Sequence, residues 1–189
     1  MYFFNKRFSS YKVLLFPLLL VSLYSCNTQK GAAKSNPKEN KTKENKHADA
    51  NLKLKYAKLL AVNESDISNT KLYSFVDEWY GVPYKFGGKT KTGIDCSGFV
   101  SNLYTTVYNT PLQGTAESMF YQCKAIAKDK LQEGDLVFFK IEHDNISHIG
   151  VYLQNNKFVH ASTKKGIMID DLDEAYYKKY FYKAGKVKR

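Results

Sequence analysis

Two short runs of alternating hydrophobicity, residues 147–153 and 157–161, are separated only by Gln154, Asn155 and Asn156. Strands joined so closely can pair only as an antiparallel hairpin, because a parallel pair needs a crossover of about a dozen residues or more. Ile149, Val151 and Leu153 share one face of the first run, so His148, Gly150 and Tyr152 share the other. Loop length then decides where the two histidines lie. A two-residue loop would set Leu153 opposite Phe158 and Val151 opposite His160, with the histidines on opposite faces. A three-residue loop sets Tyr152 opposite Phe158 and Gly150 opposite His160, making His148 and His160 diagonal neighbours about 7–8 Å apart. Gly150 leaves room on that shared face. The three-residue loop is expected, with Asn156 in the left-handed conformation that asparagine tolerates.

Helical signals precede these strands. Leu72, Phe75, Val76 and Trp79 give a 3-4 spacing over residues 71–80, and Phe99, Val100, Leu103 and Val107 give another behind Cys96. A shorter helix is expected over 116–123. Strands are expected at 136–140, 147–153, 157–161, 167–170 and 180–187. Helices first and antiparallel strands after is an α+β layout, N-terminal helices packed on an antiparallel sheet. Residues 52–189 form one globular domain, long enough for a single core.

Cys96 stands where a Gly-rich stretch gives way to the second helical pattern. Helix N-termini favour anions, so a thiol there tends toward thiolate. A free thiol near pKa 8.5 is about 3% ionised at pH 7, and lowering its pKa by about three units takes roughly 4 kcal/mol. A helix terminus supplies about 0.3–1 kcal/mol, or about 2 when partly buried, so a partner is needed. Of the four histidines, His47 lies in a lysine-rich stretch and His143 in a polar loop. His148 and His160 remain. The expected arrangement is Cys96 as nucleophile, His148 as base paired to its thiolate, and His160 orienting His148. Cys123 reads as a buried apolar residue. No C-x-x-C or H-x-x-x-H pair anchors a zinc site on these groups, so neither metal nor cofactor is expected.

The segments Trp79-Tyr80-Gly81-Val82-Pro83-Tyr84-Lys85-Phe86-Gly87-Gly88, Gly93-Ile94-Asp95-Cys96-Ser97-Gly98-Phe99-Val100, Gly134-Asp135-Leu136-Val137-Phe138-Phe139, Ser147-His148-Ile149-Gly150-Val151-Tyr152 and Phe158-Val159-His160-Ala161-Ser162 resemble the NlpC/P60 family of cell-wall cysteine peptidases in order and spacing. The resemblance covers roughly residues 52–185 and looks nearest to lipoprotein endopeptidases of the Spr type. It implies a papain-like fold and hydrolysis of an amide in peptidoglycan stem peptides. It places the nucleophile on Cys96, the base on His148 and the third polar residue on His160. It further implies an oxyanion contribution from Tyr84, and substrate contacts from Asp95 and Ser97. Asp95 reads equally as the cap of the helix that begins at Cys96, and Ser97 carries the same ambiguity. Related sequences often carry a Pro-Arg-Ser/Thr element after the first helix, where this chain reads Pro111-Leu112-Gln113-Gly114-Thr115.

Lys6, Arg7 and Lys12 precede an apolar run over 13–24, too short to span a bilayer but suited to the core of a secretory signal. Leu23-Tyr24-Ser25-Cys26 resembles a lipobox, which implies a signal over 1–25 and a lipidated Cys26. Residues 26–51 are rich in Lys, Asn, Glu, Ala and Thr and read as a disordered tether. The expected location is the bacterial cell envelope, as a membrane-anchored, monomeric lipoprotein. The 29 Lys and Arg against 18 Asp and Glu give +11. These cations are dispersed and match no nucleic-acid motif, so an anionic wall or membrane surface is the expected partner. Two other functions fit the same residues: a thiol amidase or acyltransferase on another substrate, and a non-catalytic wall-binding lipoprotein.

Overall fold

The computed structural model describes residues 37–142 and 144–188. The signal over 1–25, Cys26 and His143 therefore lie outside the described residues. In chain order the elements are α1 (Pro37–Leu60), α2 (Thr70–Trp79), β1 (Lys89–Thr90), β2 (Gly93–Ile94), α3 (Cys96–Tyr108), α4 (Ala116–Tyr121), β3 (Cys123–Ile126), β4 (Leu136–Phe139), β5 (His148–Tyr152), β6 (Lys157–Ser162), β7 (Gly166–Asp171), α5 (Ala175–Tyr180) and β8 (Phe181–Val187). Strands β1 and β2 form a two-stranded ribbon. The other six form an antiparallel sheet in the order β3-β8-β4-β5-β6-β7. This is the α+β architecture expected from the sequence.

Alternation divides that sheet into two unlike faces. Leu136, Phe138, Ile149, Val151, Val159, Ala161 and Ile167 face the helices and pack with Phe99, Val100 and Leu103 of α3. All of these are fully buried, and each such side chain contributes about 1.5–3 kcal/mol relative to exposure. The opposite face carries Val137, Phe139 and Phe158, packed with Leu172 and Tyr177 under α5. The histidines stand on this second face.

The hairpin between β5 and β6 has the expected register, with Tyr152 opposite Phe158 and Gly150 opposite His160. Its turn differs in detail. Asn155 and Asn156 are both left-handed, at φ 49° and 58°. Lys157 N–H donates to Gln154 O, while Leu153 N–H donates to Lys157 O. Two consecutive left-handed residues make a tight primed turn, and Gln154 is taken up as an extra residue on its first arm.

Two other differences follow from local chemistry. The helix expected over 116–123 stops at Tyr121, because residues from Cys123 onward pair with β8, Cys123 opposite Val187. Residues 37–51, read as tether, belong to α1. Their Lys, Glu and Ala content favours helix without needing burial. Residues 45–51 are exposed. The helix docks through its last turns, where Tyr56, Ala57 and Leu60 are buried and the Tyr56 ring lies 4.8 Å from that of Tyr73.

Candidate active site

Cys96 is the first residue of α3, and Asp95 is its cap. The Asp95 carboxylate does two things. Its Oδ1 accepts from Gly98 N–H at 2.6 Å and from the Ser97 hydroxyl at 3.0 Å. Its Oδ2 accepts from Gly87 N–H at 2.9 Å, and Asp95 N–H donates to Gly88 O at 3.1 Å. Helix start and preceding loop are thus fastened by one side chain. The helix can come this close only because residue 98 is glycine: a Cβ there would lie 2.6 Å from Gly88 O. Of the two roles weighed for Asp95 and Ser97, the structure displays the capping one, since Asp95 spends both oxygens on the protein's own donors.

The same loop carries Tyr84, which bridges to Ile94 of β2. Its phenol pKa is raised by burial first, then by the charges of Cys96 and Asp95 nearby. The backbone N–H groups of Ile149, Ser97 and Cys96 all reach the Cys96 sulfur. The Ile149 contact sets the thiol beside β5, one residue along the strand from His148.

From His148 a hydrogen-bonded chain runs outward across the sheet. His148 Nε2 lies 2.8 Å from His160 Nδ1. His160 Nε2 lies 2.9 Å from Asp170 Oδ2. The Tyr177 hydroxyl donates to that same Oδ2 at 2.7 Å. Both histidines are buried, at 8% and 1% exposure. The chain repeats one geometric step. Gly150 pairs with His160, so His148 and His160 are diagonal; Phe158 pairs with Asp170, so His160 and Asp170 are diagonal again. Gly150 keeps the first step open, because a Cβ there would lie 2.7 Å from the Phe158 ring and 3.2 Å from His160 Cβ.

The structure brings His148 and His160 together, and it places Cys96 against the backbone of Ile149, the residue after His148. Asp170 and Tyr177 were not foreseen. Asp170 ends a stretch read only as a strand, and α5 was not read at all.

The electrostatics differ from expectation. The sequence predicts a lowered thiol pKa and a thiolate–imidazolium pair. Burial first, then the Asp95 carboxylate, pushes the Cys96 thiol up to about 11, against the pull of the three N–H groups. Burial first, then His160, pushes His148 down to about 3, with Asp170 opposing. Desolvation disfavours both charges and exceeds the helix-terminus contribution. Burial thus works against both the thiolate and the imidazolium. Cys123 is a free, buried thiol whose Sγ bonds to Met119 O at 3.3 Å.

Residues 81–186 match the NlpC/P60 family. The chain belongs to that family. It is 41% identical over 113 residues to the probable endopeptidase NlpC of Escherichia coli K12, covering 59% of this chain and 73% of that protein. It is 36% identical over 126 residues to the murein DD-endopeptidase MepS/murein LD-carboxypeptidase of the same strain, covering 67% of this chain and 66% of that one. Among solved structures, a lipoprotein-like NLP/P60 family protein from Staphylococcus aureus aligns at a TM-score of 0.58 and 28% identity, over 63% of this chain and 41% of that one. The NlpC/P60 match spans the Tyr84 loop, the capped cysteine, both histidines and Asp170.

Proposed function

We propose that this protein is a lipid-anchored cysteine endopeptidase that hydrolyses an amide bond in peptidoglycan stem peptides or their cross-links. One observation carries the reading: a cysteine at a helix start lies against the backbone N–H of Ile149, and the preceding residue, His148, is bonded at 2.8 Å to a second buried histidine. The printed activities of the two Escherichia coli relatives support the substrate class.

The chemistry follows from the atoms present. His148 Nε2 is engaged by His160, so Nδ1 is the nitrogen free to act as base. As the sulfur attacks the carbonyl carbon, the S–H proton passes to His148, and negative charge develops on the carbonyl oxygen. The N–H groups at the start of α3 and the Tyr84 hydroxyl are the candidate donors to that oxygen; losing one such donor typically lowers the rate by about 10²–10³. His148 then returns the proton to the departing amine, leaving a thioester on Cys96. Water, deprotonated by His148, attacks the thioester, releases a carboxylic acid and restores the thiol.

Anchoring through a lipidated Cys26 would hold the enzyme at a membrane of the cell envelope, facing wall polymer. Among the described residues no helix is long and apolar enough to cross a membrane. The test is to digest purified peptidoglycan and identify the products by mass spectrometry. New termini in the stem peptides, absent with Cys96→Ala, are the expected result. Unchanged muropeptides with the native chain, or equal cleavage by Cys96→Ala, would end this reading. Lipidation is tested separately, by the mass of the N-terminal peptide from membranes and its loss in Cys26→Ser.

A further inference from the structure

A neutral imidazole carries its proton on one nitrogen only, and a base must present the bare one to its proton donor. The partners beyond His160 settle which nitrogen that is. We propose that Asp170 and Tyr177 are positioning residues that fix the tautomers of both histidines and so keep Nδ1 of His148 unprotonated.

The argument runs inward from the carboxylate. Asp170 Oδ2 is 2.9 Å from His160 Nε2 and 2.7 Å from the Tyr177 hydroxyl. An ionised carboxylate has no proton to give, so both neighbours must donate to it. His160 then holds its proton on Nε2, and its Nδ1 is an acceptor. Across the 2.8 Å contact, His148 must donate from Nε2, which leaves its Nδ1 bare. The donors His160 and Tyr177, together with the nearby Lys165, hold the Asp170 carboxyl below the usual carboxylate range despite its partial burial.

Tyr177 makes the carboxylate necessary. Its hydroxyl also lies 3.2 Å from His160 Nε2. With Asp170 absent, that hydroxyl would donate to Nε2 and drive His160 to the Nδ1–H form. His148 would follow, placing a proton on the nitrogen required as base. Asp170 draws the tyrosine proton to itself and prevents this inversion.

The spectroscopic test is independent of the peptidase reading; the kinetic test rests on it. In the full-length native chain, ¹⁵N imidazole spectra at neutral pH should show His148 and His160 both protonated at Nε2. A proton on Nδ1 of either ring overturns the proposal without any variant having to fold. Asp170→Ala should move both rings to the Nδ1–H form and lower kcat about 10- to 100-fold with KM unchanged. Adding Tyr177→Phe to Asp170→Ala removes the misdirecting donor and should recover most of that kcat. A purely structural role predicts further loss in the double variant, and that result would also overturn it. Tautomers that respond as stated in a chain that cuts no peptidoglycan would sustain the relay and defeat only the peptidase reading.

Discussion

The two faces of the main sheet are made from the same strands and are held together differently. The face toward α3 is a continuous apolar surface in which neighbours are interchangeable in kind. The face toward α5 is aromatic but crossed by one polar line, His148 to His160 to Asp170 to Tyr177, in which each member has a directed partner. Removing a methylene from the first face leaves a small void. Removing a member from the second leaves a buried polar atom without its partner, and here also a histidine ring without its orientation. Position by position, β5 alternates between these regimes, Ile149 and Val151 to one side, His148 and Gly150 to the other.

The sharpest way to break the comparison is at His148. His148→Gln should lower kcat by about 10⁴-fold or more while the protein stays folded, measured by muropeptide release and circular dichroism. A surviving activity would show that the polar face is not where the chemistry lies. Next is Gly150→Ala, whose Cβ would press on Phe158 and His160. A stability loss of about 1–3 kcal/mol is expected from overpacking, with a kcat loss of about 10²-fold as the histidines separate. Denaturant titration and kinetics on the same preparation check both.

Acid sensitivity sharpens the contrast through protons. His148 is held down to about 3, against its ordinary 6.5. Below about pH 6.5 the unfolded chain binds a proton that the folded chain refuses. Stability from this group is therefore complete above pH 6.5 and falls by about 1.4 kcal/mol per pH unit toward pH 3. The Asp170 contribution, also a lowered pKa, is lost only further into acid. Between pH 6 and 4 the native chain should show the steeper slope and His148→Gln a flatter one. The smallest effect belongs to the apolar face: Ile167 is fully buried there, and Ile167→Val should reduce stability by about 0.5–1.5 kcal/mol and leave kcat nearly unchanged.

Much of this was legible from the sequence because it depended on local rules. The β5–β6 register followed from alternation plus three intervening residues, and α3 from the spacing of Phe99, Val100, Leu103 and Val107. The turn was less legible: that Asn155 would also be left-handed depends on how the arms absorb Gln154. Asp170 was out of reach because its role needs the register of a second hairpin, β6 with β7. Tyr177 depended in turn on α5, a six-residue helix whose buried residue is Tyr177 alone. A short aromatic helix with one inward residue has no periodicity to read. The lowered thiol pKa expected from the helix start is opposed by burial, and burial is a tertiary quantity.

The double duty of Asp95 has a consequence for how such a protein can diversify. By gripping Gly87 as well as the helix start, it ties down the loop's backbone while leaving Phe86 pointing outward, 89% exposed. A change of side chain at position 86 alters what an approaching polymer meets, yet the backbone that Asp95 fastens to the start of α3 is left in place. The rim is free to vary while the capped helix start beneath it is inherited intact.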